Sequence, residues 1–238
     1  MNEKMKNILK LLIIVFIFFN IGIAFRWIFN AFGYDLGTFS LSARAYVQAV
    51  ISLTLSILVF LLYRKDFVKD WLDFKSDTKA NIKKSLKLFL IFYGIKFGAA
   101  FVMALIAQIF NIDVLQSENQ SVIEGLAGAA PLMIALSAVV FAPFLEEGIF
   151  RLGFRKVINN KYIFIIISGA IFGFMHIFPT ELSLYLALTQ SIVYVAMGVT
   201  LSAMYWKHPN IWIVTIVHLL NNLIGILTVL LLLLFTNG

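Results

Sequence analysis

Along the chain, apolar positions gather into seven long blocks separated by short polar stretches. They run roughly Leu11–Ala31, Ala49–Tyr63, Leu88–Phe110, Pro131–Phe150, Tyr162–Phe178, Leu184–Tyr205 and Ile211–Phe235. A bilayer core of about 30 Å takes roughly 20 apolar residues in a helix, and the blocks approach that length. The runs are continuous rather than alternating. That excludes a β-barrel and predicts an all-α fold, a polytopic transmembrane helical bundle of about seven spans. The second block is short, and its helix is expected to begin nearer Ser42. The last is long enough to leave room for an eighth short segment. Between Asp66 and Lys87, acids alternate with lysines. This stretch reads either as an amphipathic connector lying on the membrane surface or as a solvated loop.

Composition narrows the class further. Of 238 residues, 61% are hydrophobic and 13% charged, with a mean hydropathy of +0.95. A soluble globular protein carries about half apolar and a quarter charged residues, so that class and intrinsic disorder are both excluded. There is no cysteine, which removes disulfide scaffolds, thiolate metal sites and a cysteine nucleophile. Sixteen lysines and arginines fall in the N-terminal stretch and the loops after the second, fourth and sixth blocks. Only Arg26 and Arg44 fall on the other side. By the positive-inside rule the N-terminus is expected in the cytoplasm and, with seven spans, the C-terminus outside. The net charge of +7 sits at membrane edges and implies no nucleic-acid partner; the expected partner surface is the lipid bilayer. The first block has a basic start but no small-x-small cleavage pattern, and reads as an uncleaved signal anchor.

Charged side chains at the centre of a membrane helix cost around 2.5–3.5 kcal/mol on insertion scales, so they mark functional positions by default. Three clusters stand out. Glu146 and Glu147 are adjacent near the end of the fourth block, and Glu147 lies at i,i+4 from Arg151, so the two can pair on one helix face. Glu146 is rotated about 100° away. In the fifth block Phe172 and His176 share a face, and Gly169 and Gly173 form a small-xxx-small pattern that admits a neighbouring helix. In the last block His218 and Asn222 are one turn apart. Each cluster alone has a bland reading as an interface charge group, a packing histidine or an interhelical polar clamp. Together they supply the parts for activating water: a carboxylate to take its proton, a histidine to hold or relay it, and a His–Asn pair to stabilise an oxyanion. The alternative wiring is a zinc site, with metal candidates among Glu146, Glu147, His176 and His218, although no HExxH is present. Lys96, inside a span, reads as snorkelling or paired. Asn20, Gln108 and Gln190 read as interhelical hydrogen bonders, and His208 as solvated.

Glu146-Glu147-x-x-x-Arg151, Phe172-x-x-x-His176 and His218-x-x-x-Asn222 resemble, in order and spacing, the three motifs of the CAAX protease and bacteriocin-processing family. These are the type II CAAX prenyl endopeptidase-like, or Abi, membrane proteins. The resemblance covers roughly Pro131–Leu227. It divides the chain into N-terminal helices with a connector over 1–130 and catalytic helices over 131–238. It implies an intramembrane endopeptidase acting on a peptide or a lipidated or membrane-tethered protein. Glu146 would be the general base, His176 its assistant, and His218 with Asn222 the oxyanion hole. Glu147 is grouped with the catalytic residues, with Arg151 and Phe172 as structural support. No cofactor is expected, with zinc as the alternative. The small size suggests a bacterial cell membrane, and with it bacteriocin leader processing, self-immunity or pheromone maturation. The alternative function is a non-enzymatic immunity or scaffold protein. Counting residues along straight spans places His176 too far outward to meet Glu146. A contact is therefore expected only if the fifth helix begins below the membrane surface or the fourth kinks near Pro143.

Overall fold

The computed structural model describes residues 1–112, 118–177 and 184–236. Eight helices and no strand occur among them. They are α1 (Glu3–Ala31), α2 (Leu41–Ser76), α3 (Thr78–Ile109), α4 (Glu118–Ala129), α5 (Pro131–Val157), α6 (Lys161–Met175), α7 (Leu184–Lys207) and α8 (Ile211–Thr236). Six are long and apolar enough to cross a membrane; α6, at 15 residues, is shorter. At 1.5 Å per residue it reaches only about 22 Å, so the fifth block makes an apolar helix of less than spanning length. Phe178, its expected last residue, lies outside the described residues. α4 is an additional helix that the apolar pattern does not predict. The last block forms one helix, Ile211–Thr236, among the described residues.

The helix starts follow from local chemistry. The side chains of Asn2, Ser40, Asp77 and Asn160 each accept a backbone N–H of the turn that follows, satisfying donors that a helix N-terminus leaves open. The second helix starts at Leu41, close to the expected Ser42. The stretch Asp66–Lys87 is neither loop nor separate connector. α2 continues through it to Ser76, breaks only at Asp77, and α3 resumes at Thr78. At 36 residues α2 is about 54 Å long, so it must project beyond a 30 Å core. Its backbone is non-helical at Tyr63.

The projecting end of α2 holds the start of α8. Asp70 Oδ2 accepts the Ile211 N–H at 2.8 Å, and Asn210 donates to the Asp70 carbonyl at 2.8 Å and to Asp73 Oδ2 at 3.0 Å. The Trp212 indole donates to the Phe67 carbonyl at 3.1 Å. These bonds join positions about 140 residues apart in the chain and fix the helix that carries His218.

One continuous core contains Leu11 and Ile14 of α1, Val59 and Phe67 of α2, Phe92 of α3, Ile149 and Phe150 of α5, Phe172 of α6, Leu201 of α7 and Val217 of α8. Outside it, large apolar side chains such as Phe16, Trp27, Phe97, Phe101 and Leu234 are exposed, as a lipid-facing surface requires. The small-xxx-small pattern of α6 is used against α7. A Cβ on Gly173 would lie 2.5 Å from the Val195 backbone, and one on Gly169 2.5 Å from Val199 N. Asn20 does not bridge helices: it donates to the Phe16 carbonyl of its own helix at 2.8 Å.

Candidate active site

α5 is an uneven helix, and its irregularities frame the two glutamates. It has wide π-type turns at Leu136–Phe141 and Gly148–Gly153, with a regular α segment, Ala142–Glu147, between them. In the first wide turn the Ala142 N–H reaches back five residues to the Ser137 carbonyl. The next donor in that register belongs to Pro143, which has none. The Ala138 carbonyl is taken instead by Asn222 Nδ2, at 2.8 Å.

Glu147 and Arg151 are both fully buried, and Arg151 Nε lies 3.0 Å from Glu147 Oε2. The other Glu147 oxygen accepts His218 Nδ1 at 2.9 Å. Arg151 is held further by the Ser168 hydroxyl at 3.3 Å and by the Phe172 ring, whose centroid is 4.9 Å from the guanidinium carbon. Ser168 in turn donates to the Phe150 carbonyl and accepts from Ser202 at 3.1 Å. Neither serine is conspicuous in the sequence, because a hydroxyl in an apolar helix commonly bonds its own preceding turn. Both oxygens of Glu147 are thus engaged. Its geometry is that of an acid that positions the arginine and the His218 ring.

His176 ends α6. Its backbone N–H reaches the Gly173 carbonyl at 3.3 Å, and its ring Nδ1 donates to the Phe172 carbonyl at 2.8 Å. A carbonyl only accepts, so Nδ1 carries a proton and Nε2 is the ring nitrogen left for the site. His218 Nδ1 faces the arginine-paired Glu147 carboxylate and donates to it in the same way. Both Nε2 atoms point at one oxygen. Glu146 Oε2 is 4.0 Å from His176 Nε2 and 3.7 Å from His218 Nε2. It is buried and makes no protein hydrogen bond among the described residues. His176, the residue a straight count puts too far outward, therefore reaches Glu146, across an α5 whose wide turn ends just before Pro143. The Phe172 ring packs edge-on against His218, with centroids 5.6 Å apart, and Tyr194 stacks on His176 at 5.1 Å. Tyr194 is a neighbour of the site that no motif indicates.

Asn222 is tied down beside this group. Besides donating to Ala138, it accepts from Asn221 Nδ2 at 2.9 Å, which leaves one amide hydrogen. His208 lies in the turn between α7 and α8, away from the cluster. Burial, with Lys84 and Lys207 nearby, holds its pKa below the usual histidine range, so it stays neutral at pH 7.

The donor types around Glu146 suit zinc, while their spacing is wider than zinc bonds set. Bonds of about 2.0–2.2 Å in a tetrahedron put ligand atoms roughly 3.4 Å apart, closer than either Nε2–Oε2 distance. No group of three or more His, Asp or Glu among the described residues is gathered tightly enough to hold a metal ion.

Residues 128–224 match the model of the type II CAAX prenyl endopeptidase Rce1-like family. This part of the chain is similar to that family. Every residue of the cluster falls within the Rce1-like segment; α1 to α3 lie outside it. Two curated bacterial relatives are similar to the chain. The UPF0177 protein YvdC of Lactococcus lactis subsp. lactis (strain IL1403) is 33% identical over 130 residues, covering 54% of this chain and 47% of the relative. The "Putative membrane peptidase YdiL" of Bacillus subtilis (strain 168) is 34% identical over 110 residues, covering 45% of this chain and 41% of the relative. The chain thus spans less than half the length of the curated relatives it matches. No solved structure matches it.

Proposed function

We propose that the chain is an intramembrane endopeptidase that uses glutamate-activated water. One observation carries this reading: a buried Glu146 oxygen with no protein hydrogen bond among the described residues faces two imidazole Nε2 atoms, while each ring is locked through Nδ1. Separations of 3.7 and 4.0 Å are too long for direct hydrogen bonds and suit a bridging water. Such a water donates one hydrogen to Glu146 and the other to an Nε2. Glu146 then takes the first proton as the water oxygen bonds to the substrate carbonyl carbon. The carbonyl electron pair moves onto its oxygen, and the proton passes to the leaving amine. Asn222 offers its remaining amide hydrogen to that oxyanion. His218, held at Nδ1 by Glu147, keeps its Nε2 facing the Glu146 oxygen and so helps hold the water. The wide Nε2–Oε2 spacing favours this route over a metal-bound one. The substrate class is a peptide or a lipid-anchored protein, reached from the cytoplasmic half of a bacterial cell membrane.

The test pairs purified wild type with Glu146→Gln and His176→Ala on prenylated and leader-type peptides, with metal content measured in the same samples. A general base contributes 10²- to 10⁴-fold, so we expect Glu146→Gln to lose at least about a hundredfold in kcat. Full activity in Glu146→Gln overturns the reading. Stoichiometric zinc, with activity lost on chelation, would reassign the two histidines as ligands.

A further inference from the structure

Outside the Rce1-like segment, α3 carries one cation in its interior. Lys96 is partly buried and lies about 27 Å along the helix from its start and 20 Å from its end, near the middle of the span. A charge there is costly unless it is used or paired. It is paired in a specific way. Lys96 Nζ donates to Asn221 Oδ1 at 2.8 Å, Asn221 Nδ2 donates to Asn222 Oδ1 at 2.9 Å, and Asn222 Nδ2 donates to the Ala138 carbonyl at 2.8 Å. The chain of bonds therefore runs from α3 through α8 into α5 and ends on the carbonyl that Pro143 leaves without a donor. The Tyr93 ring lies beneath the ammonium, at 5.2 Å.

The two ends of this chain have fixed polarity. A lysine ammonium can only donate and a carbonyl can only accept. Between them each asparagine has one allowed amide orientation. Asn221 must show its oxygen to Lys96 and its nitrogen to Asn222. Asn222 must then show its oxygen to Asn221 and keep its nitrogen, with the one hydrogen left over, for α5 and the reacting carbonyl. Remove the ammonium, and the Asn221 oxygen is left in an apolar setting with no donor. Flipping that amide brings two oxygens together at Asn222, so the disturbance passes to the amide beside His218. A charge at one end also polarises the bonds in series.

We infer that Lys96 is a positioning residue for the Asn222 amide, orienting and polarising it for oxyanion stabilisation. This rests on the proteolytic reading of the site. It gives a part in the reaction to a helix outside the family segment. Lys96 touches no reacting atom, and its effect should fall on kcat rather than on substrate binding.

The experiment uses full-length protein in detergent or proteoliposomes, with the peptide that wild type cleaves. Variants are Lys96→Met, Lys96→Arg, Asn222→Ala and the double variant Lys96→Met/Asn222→Ala. Losing an oxyanion donor outright costs a hundredfold or more; misplacing it should cost less. We expect Lys96→Met to lower kcat about tenfold with KM within twofold, and Lys96→Arg, which keeps the donor, to restore most of it. In the Asn222→Ala background Lys96→Met should add nothing. Should Lys96→Met fail to fold, Asn221→Ala breaks the same chain of bonds from α8 and should show the same kcat loss. Wild-type kcat in Lys96→Met, a loss confined to KM, or full additivity with Asn222→Ala each overturns the inference. A wild type no better than Glu146→Gln overturns the peptidase reading itself; an active wild type beside an unchanged Lys96→Met overturns only the role of Lys96.

Discussion

Two neighbouring glutamates have opposite obligations in this fold. Glu147 is enclosed between Arg151 and His218, with both oxygens engaged. Glu146 is buried but shares Oε2 with no protein donor. Removing one member of a buried ion pair strands the other, at a cost of about 3–5 kcal/mol. Glu147→Gln leaves Arg151 in that position, so we expect a destabilised protein with a markedly lower thermal midpoint in detergent. Glu146→Gln strands no partner and should unfold near the wild-type midpoint while losing activity. Equal midpoints for the two variants would refute this division of labour. The i,i+4 spacing of Glu147 and Arg151 was enough to predict their pairing from sequence. What spacing could not show was His218 on the other Glu147 oxygen, since that contact depends on how α8 is placed against α5. Lys96 was hidden for a similar reason. A lone lysine in an apolar block reads as snorkelling or paired, and which residue it pairs with, 125 positions away, leaves no mark in the sequence.

Among the elements, the pair α6 and α7 sets where His176 ends up. Their backbones meet at Gly169, Gly173 and Gly198, where a Cβ on Gly198 would lie 2.3 Å from the Gly169 carbonyl oxygen. The small-residue pattern predicted a close helix neighbour correctly, but not which helix. Because backbone atoms rather than flexible side chains occupy the space, even one methyl group forces the helices apart. Overpacking of this kind costs typically 1–3 kcal/mol, so Gly173→Ala should lower the thermal midpoint and reduce activity by displacing His176. Gly98→Ala is the control, since nothing lies within 4 Å of that added carbon and alanine favours the helix. If the two variants behaved alike, the glycines of α6 would have no packing role. The two wide turns of α5 were not legible. A π-type turn leaves no pattern in hydrophobicity, and only Pro143 hinted at an irregularity there.

At the scale of the whole molecule, apolar block length carried most of the architecture. It failed where length and polarity conflict. Asp66–Lys87 is too charged to read as a span, yet it is the helical continuation of α2 and α3, interrupted at Asp77 and clamped to α8 through Asp70. This geometry makes the orientation testable. Thr38 precedes α2 and Lys79 follows its end, so a 36-residue helix, about 54 Å long, separates them across the membrane. The chain has no cysteine, so a single introduced thiol reports without background. The positive-inside distribution predicts Lys79 in the cytoplasm. In intact cells a membrane-impermeant maleimide should modify Thr38→Cys directly and Lys79→Cys only after permeabilisation. The reverse pattern would place the lysine-rich ends outside. Glu146, 11 residues before the basic end of α5 at Val157, would then serve substrates on the far side of the membrane.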